Sequence, residues 1–299
     1  MQAAPKKLGL WTSTSLVVGN MIGAGIFLMP ATLASFGGIS LIGWVSAAIG
    51  AFLISKVFAH LSIIMPAASG GPYAYSQKGL GDFAGFLVAW SYLVSVWCTN
   101  AAITVSFISA LSTFIPALAT HSLIAIFTGL ATIWFLTWIN SLGIFTSGVL
   151  QLITTILKIV PIILIGLAGL FYIHWENFLP FNSSGTSPTA AIIATTTLTF
   201  FAFLGIECAT IPSGSVDNAV ATVGALNGYI LIQGQLPYAI AKDKLFPPIF
   251  MRLNHKGVPV AGLIISSVFV SILMSMNYTK GLVDQFKFLM LMTTSTILI

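Results

Sequence analysis

The chain alternates between long apolar runs and short polar connections. An α-helix needs about 20 apolar residues to cross the hydrocarbon core of a bilayer, and each of these runs is long enough. The pattern predicts membrane spans at residues 10–31, 39–64, 83–116, 122–142, 148–174, 190–213, 219–241, 257–277 and 283–299. We therefore expect an all-α polytopic membrane protein with a single transmembrane domain over residues 1–299.

The composition agrees with this prediction. Hydrophobic residues make up 57% of the 299 residues and charged residues 6%, whereas soluble domains carry about 25% charged residues. Such a surface must face lipid. We assign the net charge of +5 to loops that flank the spans and expect no nucleic-acid partner. Cys98 and Cys208 both lie in apolar runs, which predicts neither a disulfide framework nor a metal site, and we expect no cofactor.

The basic residues of the first loops predict an orientation in the membrane, but the loop after residues 219–241 does not fit it. Lys6, Lys7 and Lys78 place the N-terminus on the cytoplasmic side. The run at 219–241 should then end outside, yet the loop after it is the most basic in the chain, with Lys242, Lys244, Arg252 and Lys256. Either this run does not cross, or a span is absent before it. We expect a deletion near residues 216–228, and the end within "TTSTILI" suggests truncation.

The first anomaly inside a span is "GNMIGAGIF", residues 19–27. Each glycine weakens a helix interior by about 1 kcal/mol relative to alanine. Irregular backbone is tolerated at membrane depth only where it lines a cavity or is buried in protein. The segment thus predicts an interrupted helix, whose second half would offer free N–H groups to a carboxylate. The alternative is close helix packing through glycine.

The second anomaly is "TFFAFLGIECATIPSG", residues 199–214. It carries an acid, Glu207, shortly after Gly205 and before Pro212. Interrupted helices at corresponding positions of two halves indicate a transport site near the membrane midplane. An ionisable residue at that depth is costly and indicates function. The alternative for Glu207 is a structural acid that ties two helices together.

Two further polar residues lie well inside predicted spans. Lys158, in "LQLITTILKIVPIILIG", is too deep for its amine to reach water easily. Its ammonium could occupy a sodium position or exchange a proton; the alternative is a structural pairing with backbone carbonyls. Asn100, in "VWCTNAAI", is either a substrate contact or an interhelical hydrogen-bonding residue, and the second interpretation is somewhat favoured.

The motifs together resemble the amino acid–polyamine–organocation superfamily. The similar stretches are "GNMIGAGIFLMPATLASFGGISLIGW" (19–44), "SGGPYAY" (69–75), "FAFLGIECA" (201–209) and "DKLFPPIFMRLNHKGVPVAGL" (243–263). The branch that the motifs most resemble is that of the basic amino acid/polyamine antiporters. The resemblance implies a LeuT-like five-plus-five inverted repeat in which helices 1 and 6 are interrupted. The first repeat would occupy residues 10–174, and a partial second repeat residues 190–299.

The resemblance also implies a set of site residues. Substrate would be bound by the interrupted helices and by helix 3, through Met21, Ile22, Gly23, Ala24, Gly25, Asn100, Phe201, Ala202 and Leu204. Gating or coupling roles would fall to Lys158, Glu207, Tyr73, Tyr92 and Tyr229. Ala24 and Ala202 replace small polar residues of arginine exchangers, so the implied pocket is less polar than one that takes arginine.

The expected function is sodium-independent secondary active transport of amino acids, as permease or exchanger, by alternating access. No enzyme activity is expected, because the sequence shows no nucleophile–base pair, no metal-ligand cluster and no phosphate-binding loop outside the interrupted helix. The first alternative is a cationic amino acid/polyamine antiporter, and the second is a non-transporting truncated relic or membrane interaction subunit. The expected location is the inner membrane. Expected partners are an amino acid or polyamine and the lipid bilayer, with protons and a homodimer as further candidates.

Overall fold

The computed structural model describes residues 18–22, 29–30, 32–65, 70–203, 205, 225–276, 288–289 and 292–293. Regular structure in these residues is helical, and none of them forms a strand. The main helices are α1 (Ser40–Ile64), α2 (Pro72–Leu80), α3 (Asp82–Leu111), α4 (Ser122–Ser141), α5 (Ile144–Leu170), α6 (Pro188–Phe200), α7 (Ala225–Lys242) and α8 (Val260–Met276). Short helical turns occur at Gly37–Ile39, Ala117–Thr120, Trp175–Phe178, Phe201–Phe203 and Pro248–Met251.

The long helices follow the predicted spans. α1 and α4 begin and end within one residue of the predictions. By length and composition, α1 with the turn before it, α3, α4 and α5 can each cross a membrane, while α6 and α8 are shorter apolar helices. The predicted spans at 10–31 and 283–299 lie mostly outside the described residues. An all-helical, apolar architecture is therefore confirmed for the described part of the chain.

The connection between the predicted spans at 39–64 and 83–116 contains a helix. α2 begins at Pro72, whose fixed φ suits the first helical position. Gly71 before it has a φ of +67° and Gly81 after it a φ of +93°, values that glycine adopts without strain. Hydropathy does not predict α2, because the helix is short and mixed in polarity. It packs against α3 and covers one end of that helix.

The helix α3 is the centre of the molecule. Its buried residues include Cys98, Ala101, Val105 and Ile108, all without solvent exposure. It contacts α7, α8 and α4, and we call these four helices the helix cluster. α7 and α8 approach closely because glycines face each other: a Cβ atom on Gly262 would lie 3.0 Å from a backbone oxygen of α7.

A second unit, the helix pair, is made of α1 and α6. A Cβ atom on Gly43 would lie only 2.5 Å from the hydroxyl oxygen of Thr195. One turn later, Thr199 Oγ1 donates a hydrogen bond of 3.1 Å to the carbonyl oxygen of Gly43. Buried alanines at 47, 51 and 191 continue this narrow interface. The two backbones are therefore held close by small residues.

A loop after α5 is attached to the start of the helix pair. The Ile39 N–H donates to the carbonyl oxygen of Phe181 at 2.7 Å, and the Ser183 N–H donates to that of Phe36 at 3.1 Å. A Cβ atom on Gly37 would lie 2.7 Å from a backbone oxygen of the loop. The loop thus lies in a notch that only a residue without a side chain leaves open.

The helix α5 is the least covered of the long helices. Large apolar side chains such as Leu157, Ile163 and Leu164 are more than half exposed along its length. It contacts α4 and α7, and its remaining surface suits lipid acyl chains.

Candidate functional site

The first predicted interruption is described up to Ile22. Residues 18–21 are helical, the Ile22 N–H donates to the carbonyl oxygen of Val18 at 2.7 Å, and the chain bends at Ile22. Helical residues appear again at Met29. Gly23, Ala24 and Gly25 lie outside the described residues, so their role in binding substrate remains a prediction.

The second predicted interruption follows α6. The α-helix ends at Phe200 and tightens into a 3₁₀ turn at Phe201–Phe203. Gly205 then has a φ of +109°, which a residue with a side chain rarely adopts. Leu204 and Glu207 lie outside the described residues. The described backbone therefore leaves α-helical geometry where the sequence places the second interruption.

These two segments are in contact. A Cβ atom on Gly205 would lie 2.8 Å from Cβ of Asn20 and 3.3 Å from the backbone nitrogen of Met21. The irregular backbone after α6 therefore packs on the last helical turn before the bend at Ile22. Residues almost two hundred positions apart in the sequence meet here without intervening side chains.

Asn20 is at the centre of this contact and was not among the predicted site residues. It is 4% exposed, and its carboxamide has no hydrogen-bond partner within the described part of the chain. A Cβ atom on Gly228 of α7 would collide with Asn20 Oδ1 and lie 2.5 Å from Nε2 of Gln151 on α5. A buried asparagine in an apolar run was the available sequence signal. Residues 18–22, Gly205, α5 and α7 thus converge on one carboxamide.

Lys158 reaches the same region. Its Nζ atom lies 3.5 Å from the carbonyl oxygen of Gly19, in the turn before Asn20. The side chain is partly buried and comes from α5. The structure therefore brings the predicted coupling residue to the first predicted interruption.

Asn100 belongs to a buried hydrogen-bond network between helices. Its Nδ2 donates to Oε1 of Gln233 on α7 at 2.8 Å. Gln233 Nε2 donates to Oγ of Ser267 on α8 at 2.8 Å, and Ser267 shares a 2.7 Å hydrogen bond with Thr137 on α4. This network links all four helices of the helix cluster. The interhelical interpretation of Asn100 now has observed partners, and its role as a substrate contact remains a prediction.

The remaining described residues that were predicted to bind substrate lie around the two predicted interruptions. Phe201 and Ala202 are buried in the 3₁₀ turn, and the following Phe203 packs edge-on against Trp44 of α1, with ring centroids 6.0 Å apart. Met21 and Ile22 are partly exposed. The backbone nitrogen of Met21 lies at the contact with Gly205, and Ile22 follows it in the chain.

Two of the three predicted gating tyrosines lie towards opposite ends of α7. Tyr229 follows Gly228 near the start of α7, close to Asn20. Tyr73 of α2 lies beyond the other end of α7, where its hydroxyl donates to Oδ2 of Asp243 at 2.9 Å. A rise of 1.5 Å per residue puts about 20 Å along the axis between Tyr229 and the end of α7 at Lys242. Burial, aided by the Asp243 carboxylate, raises the pKa of Tyr73 above its usual range, so it remains a donor. Tyr92 is buried in α3.

Comparison with known families gives a match over nearly the whole chain. The family model described as amino acid permease matches residues 8–218 and 214–299. This match confirms the family indicated by the motifs. Together with the long apolar helices, it identifies a multi-pass membrane protein.

Several curated proteins are similar in sequence. A cadaverine/lysine antiporter of Escherichia coli (strain K12) is 35% identical over 225 residues, which cover 74% of this chain and 49% of the relative. An arginine/agmatine antiporter of Chlamydia felis is 30% identical over 244 residues, or 76% of this chain and 50% of the relative. The chain thus spans about half the length of these two relatives. An arginine/ornithine antiporter of Pseudomonas aeruginosa is 27% identical over 373 residues, covering 100% of this chain and 77% of the relative.

Proposed function

The chain belongs to the amino acid permease family, and from this premise we propose that it is a secondary transporter that exchanges a basic amino acid for a second amino acid or a polyamine. The observation that carries the proposal is the contact of Gly205 with Asn20 and Met21. Secondary transporters place substrate between two interrupted helices that face each other near the membrane midplane. Irregular backbone at that depth needs a cavity or surrounding protein.

The proposed substrate lies between these two segments. Its carboxylate would accept hydrogen bonds from the half-helix that follows Gly23–Gly25, because unpaired N–H groups and the helix dipole favour an anion there. Its amino group would lie near Met21 and Phe201. The similar proteins named as antiporters of lysine, ornithine, cadaverine or agmatine favour a cationic substrate. Ala24 and Ala202 make the pocket less polar, which favours a primary amine over a guanidinium group.

Lys158 supports a sodium-independent mechanism. Its ammonium lies 3.5 Å from the Gly19 carbonyl oxygen and so occupies the space between α5 and the first interruption. A fixed cation at this position would replace a sodium ion, and its deprotonation would couple transport to pH. Glu207 would couple gating to the charge of the substrate or of a proton.

The test of exchange is uptake into proteoliposomes. Vesicles loaded with unlabelled lysine or cadaverine should take up labelled lysine, and empty vesicles should not. Replacing external sodium with potassium should leave the rate unchanged. Uptake into empty vesicles driven by a proton gradient would show proton symport instead, and no uptake of any basic amino acid would refute the proposed function.

The roles of the two charged residues are tested in the same assay. Lys158→Ala should abolish uptake or remove its dependence on pH, whereas the control Lys56→Ala, which changes an exposed lysine on α1, should leave both unchanged. If Lys158→Ala alters neither quantity, the coupling role is wrong.

Glu207→Gln should lower the preference for divalent over monovalent amines. An unchanged preference would remove Glu207 from substrate recognition.

A second candidate is a non-transporting relic of such an exchanger. It is favoured by the two family matches, which meet at residues 214–218, and by the P. aeruginosa alignment, which extends over 373 residues although the chain has 299. A first repeat at 10–174 followed by a second repeat with a deletion near 216–228 would explain both the divided family match and the long alignment. In that case the purified chain would melt cooperatively but show no uptake, and inserting the corresponding segment of a relative would restore uptake.

The proposed topology places the chain in the inner membrane with the N-terminus in the cytoplasm. A fluorescent protein that matures only in the cytoplasm should be bright when fused to the N-terminus. If the fusion is dark in cells that contain the full-length protein, the N-terminus lies on the other side of the membrane. The proposed homodimer would appear as twice the chain mass, 31.7 kDa each, in native mass spectrometry.

A further inference from the structure

The segment that follows α7 is both basic and apolar at its surface. Between Lys242 and Lys256 it carries four of the 11 lysine and arginine residues of the chain. All four are exposed. Large apolar side chains of the same segment are also nearly half exposed: Ile249 45%, Met251 45% and Leu253 47%. We call these seven residues (Lys242, Lys244, Ile249, Met251, Arg252, Leu253 and Lys256) the basic shelf.

Aromatic contacts fix the basic shelf to the helix cluster. The ring of Phe246 lies 6.2 Å from that of Phe86 and 6.3 Å from that of Trp90, both near the start of α3. Phe246 also contacts Phe250 at 5.8 Å. One turn before Phe86, Phe83 is 80% exposed. The shelf is therefore continuous with the apolar outer surface of α3.

The charge of the shelf is largely uncompensated within its own segment. The single acid between Lys242 and Lys256 is Asp243, and its carboxylate accepts the hydrogen bond from Tyr73. Four cations thus face outward around one acid that is already engaged. A ligand that suits this surface must present negative charge next to an apolar phase.

We propose that the basic shelf binds the headgroups of anionic phospholipids. The phosphate groups would meet the exposed cations, and the acyl chains would cover Ile249, Met251 and Leu253. A bilayer surface fits better than a soluble partner because the exposed apolar side chains continue directly onto the lipid-facing part of α3. This inference does not depend on the proposed transport activity.

The test is native mass spectrometry of the purified full chain with a phosphatidylglycerol or a phosphatidylcholine. The wild-type chain should retain phosphatidylglycerol in preference, and the preference should fall as salt is raised. A cation at a membrane surface contributes about fivefold to anionic lipid binding. The double variant R252Q/K256Q should therefore lose at least tenfold in phosphatidylglycerol retention, with phosphatidylcholine retention unchanged.

The control is K56Q, which removes an exposed cation whose ammonium lies over the Phe52 ring of α1, outside the shelf. It should retain phosphatidylglycerol like the wild type. Equal retention in R252Q/K256Q and the wild type, or an equal loss in K56Q, would refute the proposal. Should the double variant not fold, as judged by its melting curve, a salt-independent preference in the wild-type chain would refute it equally well.

Discussion

The helix pair and the helix cluster are held together by different means. In the pair, α1 and α6 meet through Gly43 and small side chains, and the hydrogen bond across the interface ends on a backbone carbonyl. In the cluster, side-chain amides and hydroxyls on Asn100, Gln233 and Ser267 bond one another across three helices. Close packing of small residues depends on shape, whereas a network of amides depends on one relative position of its donors and acceptors.

Under the proposed transport function, this difference predicts different mechanical roles for the two regions. A network that links α3, α4, α7 and α8 keeps these helices in one register, so we expect the cluster to behave as a rigid frame. The pair has tight contacts within itself, so it can move as one body. Alternating access requires such a body moving against a frame around a fixed site.

The largest effect should come from filling the interface of the pair. Gly43→Ala puts a methyl group 2.5–2.8 Å from three atoms of Thr195, one of them in the backbone, so the two helices must separate. We expect a loss of about 3 kcal/mol in the free energy of unfolding, measured by melting in detergent. Gly50→Ala on the same helix is the control, because its nearest contact is 3.4 Å away. Equal losses in both variants would contradict the packing argument.

The network of the cluster is tested by Gln233→Leu. This change removes the partner of Asn100 Nδ2 and one of the two side-chain partners of Ser267 Oγ in a fully buried environment. The expected loss of stability is about 2 kcal/mol. Gln235→Leu is a matched control on the same helix, because its Nε2 has no hydrogen-bond partner among the described residues. If the control costs as much as Gln233→Leu, the loss reflects a change of shape and not of hydrogen bonding.

The attachment of α2 to the end of α7 is tested by Tyr73→Phe. Loss of the hydrogen bond to Asp243 should cost about 1 kcal/mol near neutral pH. The pKa of Tyr73 is raised above its ordinary value of 10.0 when the protein is folded. Its contribution is therefore fully present below pH 10 and lost as the pH rises above that value. Between pH 8 and 11, the free energies of unfolding of the wild type and of Tyr73→Phe, measured by melting, should converge. A difference that stays constant over this range would exclude the titration of Tyr73.

The smallest effects should come from single hydroxyl-to-backbone bonds. Thr199→Val in the pair removes a hydroxyl that bonds the carbonyl oxygen of Gly43 at 3.1 Å and that of Thr195 in its own helix at 2.8 Å. Ser266→Ala in the cluster removes a 3.1 Å bond to the Gln233 carbonyl oxygen. Both hydroxyls cross between helices, and each should contribute about 0.6 kcal/mol. Similar values would show that the two regions differ in their amide network alone. A much larger value for Thr199 would make the pair dependent on hydrogen bonding too.

The sequence predicted the long helices because bilayer thickness sets the length of an apolar run. α1 and α4 were predicted to within one residue for that reason. α2 was missed because it lies outside such a run, although Pro72 and Gly81 mark its two ends. Helix-end signals therefore matter most for the helices that hydropathy does not reveal.

The contacts of the candidate site could not be predicted from the sequence. Lys158 stands out because an amine is rare at that depth, yet its neighbour Gly19 is 139 positions away and only packing brings the two together. Gln233, 133 positions from Asn100, was overlooked because an amide in an apolar run does not identify its partner. Asn20 was passed over in favour of the glycines around it.

The loop attached to Phe36 and Ile39 has a consequence for α5. It leaves the end of that helix at Leu170 and is fastened by backbone bonds to the entrance of α1. Under the proposed transport function, we therefore expect a displacement of α1 and α6 to be passed through the loop to the end of the helix that carries Lys158. The loop would then act as a tether that links the position of α1 and α6 to the partly buried ammonium group on α5.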